Sequence, residues 1–180
     1  MLKHTMEHFI RKLLTGEAQK NALEFAAYLR ANDMPPVRFK DNYWKDKCYW
    51  SVRIHGEYVC FVLLNGTPAQ DKTEPEGWVV WSDDTATATA KWYEDVQIDD
   101  RMKEIAWRHV DCCTCGTEDN PARRRSIFGK DFEPVCASIF RFDNPDGEAL
   151  ECAKKMAALR KNDILGRTAS RSDQHDVTRR

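Results

Sequence analysis

Residues 48–64 read CYWSVRIHGEYVCFVLL, and two strands and a turn are written in them. Cys48, Trp50, Val52 and Ile54 alternate with Tyr49, Ser51 and Arg53. Period two marks a strand with one face buried. His55-Gly56 predicts a two-residue turn, because glycine accepts a positive φ at no steric cost. Tyr58–Leu64 is apolar on both faces, the pattern of a central strand. Asn65-Gly66-Thr67-Pro68 ends it, and a polar, acidic stretch reads as a loop as far as Gly77. Trp78-Val79-Val80-Trp81 then forms a third strand. Three consecutive strands of this kind predict an antiparallel meander.

Upstream, Met6, Phe9, Ile10, Leu13 and Leu14 make one apolar helical stripe, interrupted by Thr15-Gly16. Ala18, Ala22, Phe25, Ala26 and Leu29 make a second, which ends near Asn32 and cannot resume through Pro35-Pro36. Downstream, Thr85–Ala90 carries little apolar bulk, and a short helix running to Tyr93 is the favoured reading. A helix capped by Asp99 or Asp100 follows, with Met102, Ile105, Ala106, His109 and Val110 on one face. Arg123-Arg124-Arg125 falls in a polar loop, and Phe132–Phe142 reads as one strand. Asn144-Pro145 predicts the start of a last helix, with Asn144 as N-cap and Ala149, Leu150, Ala153, Met156 and Ala157 buried. The expected fold is therefore α+β: an N-terminal helical pair, an antiparallel meander of three to four strands, and two further helices packed on the sheet. One globular domain is expected over 1–165, with 166–180 as a disordered, arginine-rich polar tail.

Composition narrows the functions. In 180 residues, 42% are hydrophobic and 32% charged, enough apolar material for a core. A net charge of −1 provides no general attraction to nucleic acid or to an anionic membrane. Glu7, His8, Arg11 and Lys12 break the N-terminal apolar residues, so no signal peptide is read there, and no segment is apolar enough to span a bilayer. A cytoplasmic location is expected. The seven cysteines are then thiols or metal ligands rather than a disulfide framework.

Cys112-x-x-Cys115-Gly116 has the spacing of a metal knuckle. Zinc needs four ligands, and His109, one helical turn before Cys112, and Cys136, 21 positions after Cys115, are the candidates that complete the set. The bland alternative is that these cysteines are small core residues, since free cysteine is among the most buried residue types. A reactive thiol is a third reading. It is disfavoured because Cys112 and Cys115 follow a helix rather than precede one, where the dipole opposes a thiolate.

All six tryptophans lie between Trp44 and Trp107. Trp50, Trp78 and Trp81 are candidates to line an aromatic surface for a small apolar or cationic ligand. Filling the core is their simpler use. No phosphate loop, nucleophile elbow or HExxH sequence is present. The expected function is a non-enzymatic binding or interaction domain with a structural zinc at the knuckle. A thiol- or metal-dependent enzyme and a small-molecule sensor are the alternatives.

Overall fold

The computed structural model describes residues 5–39, 48–64, 77–82, 92–112, 123–136 and 138–177. Helices α1 (Met6–Leu13) and α2 (Gly16–Ala31) come first, then strands β1 (Val37–Arg38), β2 (Cys48–Ile54), β3 (Glu57–Leu64) and β4 (Trp78–Ser82). Helices α3 (Trp92–Asp95) and α4 (Asp100–Arg108) follow, then strands β5 (Arg123–Ile127), β6 (Lys130–Val135) and β7 (Arg141–Asp143), and last α5 (Gly147–Val177). The main sheet is antiparallel in the order β1-β2-β3-β4-β7, and β5 and β6 form a separate hairpin. The fold is α+β, with the N-terminal helix pair and the later helices on the sheet.

The hairpin of residues 48–64 forms as its alternation predicts. His55 and Gly56 both take positive φ, 50° and 84°. That is the handedness at which a two-residue turn matches the twist of its strands. The register slips once, between Val52 and Arg53, so that Val59 and Cys60 are both buried. Trp50, Val52, Cys60, Val62, Trp78, Val80 and Phe142 meet Met6, Ile10, Phe25, Leu29, Ala153 and Met156 in the principal core. A smaller cluster on the opposite face holds Tyr49, Leu63, Val79 and Trp81, with Phe39 and Phe61 against it.

Four expectations change. Phe132–Phe142 is two strands, because β6 pairs with β5 while β7 pairs with β4. Arg123–Arg125 lies in a strand rather than a loop, held by a turn at Phe128-Gly129 in which both residues have positive φ. Asn144 does not cap the last helix. Its Oδ1 accepts from the Trp78 amide at 2.9 Å and its own amide donates to the Trp78 carbonyl at 2.8 Å, fixing the start of β4. Finally, α5 passes through Gly166, where a tail was expected, and continues to Val177. Its helical path there is supported by Arg167, which bridges Glu57 and Asp163, and by Thr168, whose hydroxyl donates to the Ile164 carbonyl. The segment 83–91, where a helix was the favoured reading, lies outside the described residues. Among the described residues no helix is long and apolar enough to cross a membrane.

Candidate functional site

Helix α4 is started by Asp99, whose carboxylate accepts from the Met102 amide at 2.9 Å. Such a cap contributes about 1 kcal/mol. The helix stops at Arg108, and the next residues straighten into a strap along the edge of β7 that faces away from β4. The Arg141 amide donates to the His109 carbonyl at 2.9 Å, Val110 bridges Phe140, and the Asp111 amide donates to the Ile139 carbonyl at 2.8 Å. The Cys136 amide then donates to the Asp111 carbonyl, also at 2.8 Å. The chain entering the knuckle therefore runs beside the chain that carries Cys136.

The side chains of the strap are differently placed. His109 is half-buried, with Nδ1 3.3 Å from the Arg141 carbonyl and its ring 4.5 Å from that of Phe142. A carbonyl oxygen only accepts, so a hydrogen bond there makes Nδ1 the protonated nitrogen. Burial pushes the imidazole below its ordinary range, and the contact with Arg141 opposes the shift. Burial pushes the Asp111 carboxyl up, against the contact with Cys136. The Ser138 hydroxyl lies 3.7 Å from Cys136 Sγ, and Cys112 is exposed. Cys113 and Cys115 lie outside the described residues. Among the described residues no three His, Cys, Asp or Glu side chains are grouped closely enough to hold a metal ion. His109, Cys112 and Cys136 thus share a strap without forming a ligand set by themselves.

The three tryptophans proposed as an aromatic surface are divided by the sheet. Trp50 and Trp78 belong to the core under the helices, and Trp81 belongs to the opposite cluster. The indole N–H groups of Trp50 and Trp78 are buried with no hydrogen-bond partner among the described residues. Trp81 already carries a cation, the Arg141 guanidinium 5.5 Å from its ring centroid.

A cleft that nothing in the amino-acid sequence points to directly lies at the other end of α4. Its volume is about 790 Å³, and it lies between α2 and the first turns of α4 and α5. Glu17, Glu24, Asp99, Asp146, Glu148 and Glu151 line it, against Lys20 and Arg101. Met102, Ile105 and Leu150 supply apolar surface, and Asn21 of α2 reaches it from beneath. One signal for it was legible. Asn21 stands three places after Ala18 and four before Phe25, so a polar amide interrupts the apolar stripe of α2.

Comparison with family models, with curated proteins and with solved structures finds no match to this chain.

Proposed function

We propose that this chain is a non-enzymatic binding domain whose strap is clamped by a structural zinc on the thiolates of Cys112, Cys115 and Cys136. The hydrogen bond from the Cys136 amide to the Asp111 carbonyl, 2.8 Å long, carries the reading. It brings the lone cysteine of the second half beside the backbone that leads into the CxxC sequence. Two chain segments about 25 residues apart are thereby joined at one point, the geometry that a small zinc site closes. His109 is outside the proposed set, because His109, Cys112 and Cys136 are not grouped closely enough to share a metal ion. Cys113, inside the knuckle, is the remaining sulfur near enough in sequence to be the fourth donor. A zinc closed by protein ligands contributes folding free energy and no chemistry.

Elemental analysis of the purified chain, with thiols counted in the native state, tests this. About one zinc per chain is expected, released by a chelator together with protected thiols. Cys115→Ser and Cys136→Ser should lose the metal and destabilise the fold far more than Cys48→Ser, while His109→Ala keeps the metal. Metal-free protein, or equal small effects from all the cysteine variants, overturns the clamp.

A further inference from the structure

We propose that the cleft between α2, α4 and α5 binds a small organic cation with an alkyl body, of the diamine or polyamine class. This names the ligand class of the binding domain proposed above, and it is independent of the zinc.

The charge is the first argument. Six carboxylates against two cations leave the lining at −4. Lys154 stands at the rim, 2.6 Å from both Glu24 and Glu151. Adding it, together with roughly half a positive charge from each helix start, brings the site to about −2. An organic cation carrying two or three ammonium groups neutralises such a site. Lys154 also displays the chemistry: one ammonium is already held between a carboxylate of α2 and one of α5.

Asn21 is the second argument, and it does not depend on charge. It is only 8% exposed, it lines the cleft, and its side-chain amide has no hydrogen-bond partner among the described residues. Its amide opens on the cleft rather than into the core, so its hydrogen-bonding capacity is offered to whatever occupies the cleft. An ammonium donates and never accepts, and the Asn21 Oδ1 accepts. The methylenes between two amines would lie on Met102, Ile105 and Leu150.

The carboxylates are also spread out. Among the described residues no three of them are grouped closely enough to hold a metal ion. An extended cation with separated charges fits that spacing, and a single divalent ion does not. The pairs Lys20–Glu17 and Arg101–Glu148 are exposed at the surface, where an ion pair is worth little and opens readily to an incoming amine.

The test is titration calorimetry and thermal unfolding of the full chain with spermidine, against magnesium chloride at matched ionic strength. Saturable binding at about one spermidine per chain is expected, with a rise in Tm that magnesium does not reproduce. Asn21→Leu should weaken spermidine about tenfold, the equivalent of one lost hydrogen bond, without lowering the Tm of the free protein. Glu17→Gln with Asp146→Asn, both at exposed positions, should weaken it further. Chelating the zinc should leave the affinity unchanged, because the clamp is at the opposite end of α4. Magnesium that protects equally well, or variants that all bind like the parent, overturns the proposal and leaves the zinc clamp standing.

Discussion

His109 holds Arg141 twice: its carbonyl accepts from the Arg141 amide at 2.9 Å, and its Nδ1 lies 3.3 Å from the Arg141 carbonyl. One residue thus occupies both backbone groups that Arg141 turns away from β4. Replacing the imidazole by a methyl leaves the Arg141 carbonyl short of a partner. His109→Ala should therefore cost about 1–2 kcal/mol. Amide exchange at Asp111, which donates to Ile139, should quicken in parallel. Unchanged exchange there would mean that the strap is held without the ring.

Gly77 has a quite different constraint. A Cβ built on it would lie 1.9 Å from Asn144 Oδ1, the atom that accepts from the Trp78 amide. Gly77→Ala must push the Asn144 side chain away and break that bond. A loss of about 2 kcal/mol is expected in urea unfolding. In Asn144→Ala the obstruction is gone, so the same glycine change should cost much less in that background.

Arg160 has no exposed surface, and its guanidinium meets Asp163 at 2.6 Å, Glu57 at 3.4 Å and the Tyr58 carbonyl at 3.3 Å. Arg167 closes the same group from two helical turns further along α5, 2.8 Å from Glu57. Arg160→Ala removes a buried partner and leaves a void, and should cost about 3 kcal/mol or more. Arg167→Ala acts at a more open position and should cost about 1 kcal/mol. Equal losses would show that the network acts as a unit rather than through its buried member.

The pair Glu7–Arg30 joins α1 to α2, and the Arg30 guanidinium holds the Glu7 carboxyl below its ordinary value of 4.5. Because the folded pKa is depressed, its stabilisation is present above about pH 4.5 and is lost as pH falls through the lower folded value. Glu7→Gln should be less stable than the parent at pH 7, by less than about 1 kcal/mol for so exposed a pair. The gap should close on acidification. A gap that persists at pH 2 would assign the effect to packing.

Thiol reactivity should follow burial. Cys152 is fully buried and its thiol is pushed up to about 12, and Cys60 is also buried, whereas Cys112 is exposed. In chelator-treated protein, Cys112 should be alkylated in the native state, and Cys60 and Cys152 only on unfolding. With metal bound, Cys112 should be protected as well.

The hairpin of 48–64 was legible because alternation, turn chemistry and length all agreed there. Asp99 was legible for the same reason, as a cap placed directly before an apolar stripe. Phe132–Phe142 was misread because an apolar run does not state which neighbour it pairs with, and its two halves pair in different sheets. Asn144 has the composition of a helix cap, but the Trp78 backbone claims it first. Arg160 and Asn21 were missed for a shared reason. Each is a polar residue standing on an apolar stripe, and the stripe was read by its apolar members. The metal ligands named from the CxxC spacing are the least legible part, since spacing in sequence says nothing about where Cys136 lies. The three tryptophans were grouped by their nearness in the chain, and strand parity sends Trp81 to the other face.

The strap has a consequence for solutions of many molecules. A sheet grows from one chain to the next through an edge whose amides and carbonyls are open. On the β7 side, His109 and Asp111 already occupy them. On the other side the last strand is β1, two residues long and preceded by Pro35 and Pro36, which have no amide to offer. Fibre formation by this protein should therefore begin with detachment of the strap, and whatever fastens the strap is also what keeps the chains apart.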